Sequence, residues 1–198
     1  MDTSLAIVIL NFNGKHHLET YLPSVLAYSK KTPVFIADNE AKKLMQSAAV
    51  LEAIQTSFGD AIFENGQLNR QQLAAIVFSK PEKLQQLNGI IHPAVKQQFS
   101  IWLGQYQSEP IVVYEAAILF ESGSYQNCDS IITITAPLED RIIRVMQRDS
   151  SSREQVLERI NTQWTDDQRA AKSDYVIDNT NTQIAKQEID KILKILKN

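Results

Sequence analysis

The sequence predicts an α/β fold in which a parallel sheet is flanked by helices. Apolar runs rich in β-branched residues alternate along the chain with segments whose apolar residues recur at helical spacing. This alternation indicates parallel strands, because each connection then crosses the sheet through a helix. The last segment has one apolar face, as expected of a helix packed against a sheet. Sheets of this class bind ligands at the carboxyl ends of their strands.

Five segments are predicted strands. Each is a short apolar run bounded by polar residues, which is typical of a strand buried within a sheet. They are LAIVIL at 5–10, PVFIAD at 33–38, PIVVYEAAILF at 110–120, SIITITA at 130–136 and DYVIDN at 174–179.

Helical spacing predicts helices between these strands and after the last one. The predicted helices are 16–29, 40–58, 69–79, 81–106, 138–149 and 152–164, and the predicted apolar face of the C-terminal helix comprises Ile184, Ile189, Ile192, Leu193 and Leu196. Two insertions stand out as segments able to close over a ligand: a helical region at about 48–107 and a charged helical pair at about 148–172. No repeat or linker divides the chain, so we expect residues 1–198 to form a single domain.

Bulk composition excludes several classes of protein. Hydrophobic residues make up 43% and charged residues 22% of the 198 residues, which is ordinary for a folded globular protein. The net charge of −3 argues against general nucleic-acid binding, and the apolar run at 5–10 is too short to span a membrane. Cys128 is the single cysteine, so we expect a quiet, partly buried thiol and a reducing, cytoplasmic environment.

The stretch AIVILNFNGKHH at 6–17 ends a predicted strand with a tight turn that contains Gly14 and Lys15. Gly-Lys after a buried strand is how a phosphate-binding loop ends. The base of a nucleotide sugar is the alternative ligand for such a turn, and the stretch by itself leaves both open.

Arginines recur through the charged helical pair, mostly three to five residues apart, so that several can share one side of a helix. They are Arg141, Arg144, Arg148, Arg153 and Arg159. Guanidinium groups bind phosphate oxygens in pairs and stay charged at any working pH. A solvated helix with neighbouring Glu and Asp is one interpretation. The other is an arginine lid over a transferring phosphate, because the segment lies between two predicted buried strands.

Three further side chains are candidate site residues. Asp38 ends a predicted strand, where a carboxylate is able to accept a proton from an attacking hydroxyl. The alternative is that Asp38 caps the helix that begins at Glu40, a role that Asn39 could also fill. Glu115 lies in an apolar strand, and a carboxylate buried there needs a partner. His92 precedes Pro93, either as a helix-terminal histidine bonded to backbone or as a substrate contact.

From about residue 33 to 195 the chain resembles dephospho-CoA kinase. The resemblance rests on PVFIADNEAKKLM, FGDAIFENGQLNRQQLAAIVFSKPEKLQQLNGIIHPAV, EAAILFESG, RVMQRDSSSREQVLERINTQ and SDYVIDNT, which occur in the family's order. It implies a P-loop-kinase-like fold with a helical substrate-binding region and an arginine lid. The implied reaction is ATP-dependent phosphorylation of the ribose 3′-hydroxyl of dephospho-CoA, with ATP and Mg²⁺ as cofactors.

The same resemblance implies roles for individual residues. Asp38 matches the family's catalytic carboxylate. ATP-binding positions fall on Arg144, Arg148 and Asn179, and substrate-binding positions fall on His92, Glu115 and Lys42. Lys15 lies outside the resembling stretch and is a further candidate for ATP binding, because Gly-Lys follows a buried strand there. No protein metal ligand is assigned. The implied partner is dephospho-CoA, with no nucleic acid or membrane, for a cytoplasmic monomer or weak homo-oligomer.

The first residues depart from that family. Aligned with its G-x-x-x-x-G-K-[ST] loop, the chain has Ile9 at the first glycine and His16 at the hydroxyl position. Residues 5–39 instead resemble the start of a family 2 glycosyltransferase, whose turn and strand-end aspartate contact uridine. That family also needs an Asp-x-Asp metal site, and the sequence contains no such motif. An inactive hybrid or nucleotide-binding remnant stays open as an alternative, and a nucleotide-sugar glycosyltransferase fragment is disfavoured.

Overall fold

The computed structural model describes residues 4–10, as backbone, and residues 32–196. The chain divides into two compact units. One comprises Met1–Ile36 with Tyr106–Asn198, and the other comprises Ala37–Gln105. The predictions of a single domain, of a substrate region at about 48–107 and of a lid at about 148–172 stay predictions.

The first unit contains a five-stranded sheet and four of the described helices. Its strands are β1 Ser4–Leu10, β2 Val34–Ile36, β5 Ile111–Glu115, β6 Ser130–Thr135 and β7 Tyr175–Asp178, and its helices are α5 Leu138–Asp149, α6 Arg153–Asn161, α7 Asp166–Ala170 and α8 Thr182–Leu196. All five predicted strands are present. The predicted helix at 138–149 is α5 with the same bounds, whereas α7 was not predicted.

The sheet has the order β2-β5-β1-β6-β7, and every pair of neighbours is parallel. In register, Ile36 lies opposite Glu115, and Thr135 lies opposite Asp178. The strands therefore end at one common edge. This arrangement confirms the predicted parallel sheet flanked by helices.

Two predicted strands are shorter than the sequence patterns suggested. β2 ends at Ile36 and a helix begins at Ala37, where Asp38 and Glu40 in the first turn suit a helix N-terminus. β5 ends at Glu115, which lies opposite Ile36, the last residue of β2. Beyond Glu115, β2 therefore offers no further backbone for β5 to pair with. The predictions that these strands extend to 38 and 120 are therefore wrong.

Helix α8 packs on the sheet through one face. Ile192 and Ala185 are buried with residues of β5, β6 and β7, and Ile189, Leu193 and Leu196 pack against that cluster. The predicted inclusion of Ile184 in this face is wrong, because its side chain is 53% exposed. Ala185 occupies the buried position instead.

The second unit is mainly helical. Its elements are α1 Ala37–Leu44, α2 Ala48–Phe58, a hairpin of β3 Phe63–Glu64 and β4 Gln67–Leu68, α3 Arg70–Ser79 and α4 Pro81–Leu103. The predicted single helix at 40–58 is thus two helices. The hairpin turn is Asn65-Gly66, both with positive φ (50° and 77°), which is the geometry that Asn-Gly favours. No helix in the described part of the chain is long and apolar enough to cross a membrane.

Candidate functional site

The carboxyl edge of the sheet carries acidic residues at the ends of β5 and β7, two strands that are separated by β1 and β6. Glu115 ends β5 with only 1% of its surface exposed, so the predicted burial of this carboxylate is confirmed. Asp178 ends β7, and its carboxylate accepts hydrogen bonds from the hydroxyl and N–H of Thr180. These bonds hold the pKa of Asp178 below its usual value. Charged groups therefore lie at two separate points along the edge where a parallel sheet binds ligands.

Arg144 and Asn179 meet at this edge. The Arg144 guanidinium donates through Nη1 and Nη2 to the carbonyl oxygen of Asn179, at 3.5 and 3.4 Å. The Asn179 N–H donates to the carbonyl oxygen of Thr135 at 2.7 Å, which fixes the loop after β7 against the end of β6. A second contact of Arg144, to Asp140, spans 3.8 Å. The structure thus brings two of the predicted ATP-binding residues together through long contacts that leave the guanidinium weakly engaged.

Arg148 follows Arg144 by one helical turn, so both arginines project from the same side of α5. Its Nε and Nη2 donate to Oδ1 and Oδ2 of Asp149 at 2.6 and 2.7 Å. Arg159 of α6 donates through Nη1 to Oδ2 of the same carboxylate at 3.1 Å. The hydrogen bond from Arg148 and then that from Arg159 hold the pKa of Asp149 below its usual value.

The remaining predicted lid arginines also face carboxylates. Arg141 makes two bonds to Asp166, at 3.1 and 2.6 Å, and Arg153 makes two to Glu139, at 2.8 and 2.7 Å. These pairs are what the interpretation as a solvated, charge-paired helix predicts. In an arginine lid, phosphate oxygens would replace the same carboxylate contacts. Pairing alone therefore does not decide between a solvated helix and a lid.

A buried ion pair between Arg169 and Glu121 was missed by sequence reasoning. Arg169 donates to Glu121 Oε1 at 3.2 Å and to Gln163 Oε1 at 2.9 Å, while the Trp164 N–H donates to Glu121 Oε1 at 2.7 Å. The Trp164 ring stacks on Phe120 with centroids 5.2 Å apart. The network joins the loop after β5 to the turn before α7. No periodicity marks residues so far apart in the chain as partners.

Asp38 and Lys42 both lie on α1 of the second unit. Asp38 is exposed in the first turn, one residue inside the helix, so the alternative that it caps a helix beginning at Glu40 is wrong. Lys42 is exposed in the last turn, and its carbonyl accepts a hydrogen bond from Arg70 at 3.2 Å. An exposed carboxylate can receive a proton and pass it to water, which suits the predicted role of Asp38.

His92 lies in the middle of α4. The helix runs through Pro93 to Leu103, so the alternative of a histidine at a helix end is wrong. Pro93 has no N–H to offer the carbonyl of Gly89, one turn earlier. The His92 Nε2 atom is buried and finds no hydrogen-bond partner among residues 32–196. Burial lowers the pKa of His92, so the imidazole is neutral and its Nε2 can donate to or accept from a ligand.

The predicted phosphate loop falls largely outside the described residues. Lys15 and His16 lie there, so their placement stays a prediction. Ile9, which matches the family's first loop glycine, is within β1 and pairs with Glu115 and Ile132. Backbone held in a strand cannot also curl around a phosphate. The standard loop therefore does not begin at this position.

The described residues do not fit a protein cage for a metal ion. They contain no group of three or more His, Cys, Asp or Glu side chains able to hold one. Mg²⁺ in kinases is bound largely by substrate phosphates and water, with one or two carboxylates.

Cys128 is partly buried, and burial with the nearby Asp129 raises its pKa to about 12, in agreement with the predicted quiet thiol.

Comparisons with known proteins identify relatives over most of the chain. The family model described as dephospho-CoA kinase matches residues 20–185. A dephospho-CoA kinase of Chlorobium chlorochromatii is 39% identical over 189 residues, which cover 91% of this chain and 87% of that protein. Another, from Bacteroides fragilis (strain YCH46), is 37% identical over 148 residues, covering 74% and 72%.

Solved structures agree. The crystal structure of TT1252 from Thermus thermophilus has a TM-score of 0.80 and 28% identity, covering 98% of this chain and 97% of that one. Dephospho-CoA kinase from Campylobacter jejuni has a TM-score of 0.65 at 22% identity, covering 100% and 98%, and shows a shared fold. These matches confirm the predicted resemblance to dephospho-CoA kinase. They give no support to the resemblance of residues 5–39 to a family 2 glycosyltransferase.

Proposed function

The chain belongs to the dephospho-CoA kinase family, and from that premise we propose that it phosphorylates the ribose 3′-hydroxyl of dephospho-CoA. In this reaction the hydroxyl oxygen attacks the γ-phosphorus of ATP, the bond to the β-phosphate oxygen breaks, and ADP leaves. The observation that carries the proposal is the family match over residues 20–185, together with arginines at the carboxyl edge of the sheet.

Binding of the triphosphate is assigned to the first unit. Arg144 has only long contacts, and Arg148 carries a guanidinium one turn further along the same helix, so both can turn towards phosphate oxygens. Asn179 lies beside Arg144 at the end of β7. Phosphoryl transfer depends mainly on positioning and on neutralising charge, and guanidinium groups supply both. Lys15 is proposed to reach the β- or γ-phosphate from the turn after β1.

Binding of dephospho-CoA and proton removal are assigned to the carboxylates and the helical unit. Asp38 would take the proton of the attacking hydroxyl, because it is exposed and is the second residue after the end of β2. His92 offers a neutral imidazole whose Nε2 has no partner among the described side chains, and Lys42 offers an exposed ammonium. Glu115 contributes a buried carboxylate. A divalent ion bound with ATP would neutralise phosphate charge, and we assign it no protein ligand.

A nucleotide-binding protein without turnover is the second candidate. The observation that favours it is the position of Ile9 inside β1, where the family's loop would begin. Such a protein would bind ATP through the arginines and form no product. In either case we propose a cytoplasmic protein that is a monomer or weak homo-oligomer and has no nucleic-acid or membrane partner.

The experiment measures formation of CoA and ADP from ATP and dephospho-CoA by the full chain. Asp38→Asn is expected to lower kcat by about 10²- to 10⁴-fold, the usual contribution of a general base. Glu40→Gln is the matched control, because Glu40 lies on the same helix and pairs only with Lys43 among the described residues. Its rate should equal that of the unmodified chain.

One outcome separates the two candidate functions, and a second tests the role of Lys15. ATP binding without any CoA formation by the unmodified chain would establish the second candidate and refute the first. Lys15→Ala extends the test, because equal rates with and without this lysine would refute its assignment to the phosphates.

A further inference from the structure

Three guanidinium groups form a row that starts at the sheet edge. Arg144 contacts Asn179 there, and Arg148 lies about 6 Å further along α5, at 1.5 Å per residue. Helix α5 ends with Ser150 in the left-handed region (φ 51°), and the chain then returns as α6. Apolar side chains fix α6 against α5, namely Ile142, Val145 and Val156 with Met146, Leu157 and Ile160. This packing brings Arg159 to the end of the row.

Asp149 stands between the last two arginines of the row. Its two oxygens accept three N–H bonds, at 2.6 and 2.7 Å from Arg148 and at 3.1 Å from Arg159. A carboxylate that accepts two parallel N–H bonds from one guanidinium presents the same fork that a phosphate presents. Two guanidinium groups on one carboxylate leave a net positive charge and several unused donors.

We propose that Arg159 joins Arg148 in binding the triphosphate, and that Asp149 holds both guanidinium groups in place until the phosphates displace it. This inference deepens the proposed function and rests on it for the identity of the nucleotide. When no anion is bound, Asp149 holds the guanidinium groups of Arg148 and Arg159 in fixed positions and partly neutralises their repulsion. It also competes with the triphosphate, so its removal strengthens binding.

Displacement is favourable for electrostatic reasons. The side chains of Arg148 and Arg159 are 21% and 40% exposed, and ion pairs at such positions contribute at most about 1 kcal/mol. A triphosphate carries more charge and more acceptor oxygens than one carboxylate, so it replaces the bonds that Asp149 gives up. Solvent access lets the exchange proceed without unfolding the helix pair.

Glu139 provides a matched control. It forms a two-bond pair with Arg153 in the same helical region, at 2.8 and 2.7 Å. Arg153 is not one of the three arginines of the row, and Glu139 lies at the opposite end of α5 from Asp149. Glu139→Gln therefore removes one negative charge from the helix pair without releasing an arginine of the row.

The experiment measures binding of inorganic tripolyphosphate and of ATP to the full chain by calorimetry, at one fixed ionic strength. Asp149→Asn is expected to lower both Kd values about five-fold, the equivalent of about 1 kcal/mol. Glu139→Gln should leave both unchanged. Arg159→Gln should raise the Kd of tripolyphosphate by a similar factor, and the double variant Arg159→Gln/Asp149→Asn should lose most of the gain.

The outcomes are decisive because a merely structural Asp149 would act in the opposite direction. An Asp149→Asn chain that unfolds at the same denaturant concentration and binds tripolyphosphate no more tightly than the unmodified chain would overturn the proposal. Unchanged binding by Arg159→Gln would also overturn it, whether or not Asp149→Asn folds. Tighter tripolyphosphate binding by Asp149→Asn, together with no CoA formation by the unmodified chain, would keep this inference and refute the proposed kinase activity.

Discussion

The Arg169 guanidinium lies 3.2 Å from the Glu121 carboxylate, Nη2 to Oε1, although the two residues are 48 positions apart. Their side chains are 5% and 17% exposed. Oε2 of Glu121 and Nε of Arg169 are buried without a hydrogen-bond partner in the described part of the chain. Removal of one member of such a pair leaves the other charge buried without a partner, and this strongly lowers the free energy of unfolding.

Arg169→Met is therefore expected to lower the free energy of unfolding by about 3 kcal/mol. Arg153→Met is the control, because the Arg153 pair with Glu139 is exposed and should leave the unfolding midpoint unchanged. Denaturant titration of both variants measures the difference. Equal midpoints for the two would show that the buried pair contributes nothing beyond a surface pair.

Arg144→Ala is expected to weaken ATP binding far more than folding. The native contacts of Arg144 span 3.4 to 3.8 Å, so little stability is lost when they are removed. Hydrogen bonds to a charged phosphate are stronger, and their loss should raise the Kd for ATP on the order of ten-fold. Calorimetry measures the Kd, with Arg153→Ala as the control arginine. An unchanged ATP affinity in Arg144→Ala would refute the assignment of this residue to the nucleotide.

His92 makes stability depend on pH in a definite direction. Burial lowers its pKa in the folded chain, so just below about pH 6.5 the unfolded chain binds a proton that the folded chain does not. The free energy of unfolding therefore falls as the pH drops through this window. His92→Gln lacks this contribution, and its stability should fall less between pH 7.5 and 5.5. Urea titration at both pH values measures it, and parallel losses in the two chains would contradict the prediction.

Helix α8 carries one buried and one exposed isoleucine, whose substitutions can be compared directly. Ile192 is 7% exposed within the cluster on the sheet, whereas Ile184 is 53% exposed. Ile192→Ala should cost about 3 kcal/mol, because it removes transfer energy and leaves a cavity. Ile184→Ala should cost about 0.5 kcal/mol or less. The same denaturant titration distinguishes them, and a larger loss for Ile184→Ala would mean that α8 presents the other face to the sheet.

The order of strands and helices followed from local patterns. A buried strand is marked by its own apolar run, and helix α5 is marked by its own spacing, with the predicted bounds 138–149. The end of β5 did not follow from a local pattern, because β5 stops where its partner β2 stops at Ile36. That limit belongs to the pairing of two strands and not to either sequence. The Asn65-Gly66 hairpin was predictable from its turn residues and was overlooked.

Site residues show the same division. The resemblance and the spacing of arginines singled out Arg144 and Arg148. The end of a predicted strand singled out Asp38, and a position inside an apolar strand singled out Glu115. Their partners did not follow from the sequence. Asn179 was predicted for ATP binding, yet its carbonyl contact with Arg144 depends on how α5 lies against β7.

The sequence by itself determined the family and the succession of the main strands and of most helices, because these depend on neighbours within a few positions. Only the tertiary structure decided that Arg169 pairs with Glu121, that Asp149 accepts from both Arg148 and Arg159, and that Ala185 replaces Ile184 in the core. Periodicity specifies which residues share a face. Which surface that face meets is a property of the packed chain, since it depends on segments brought together from distant positions.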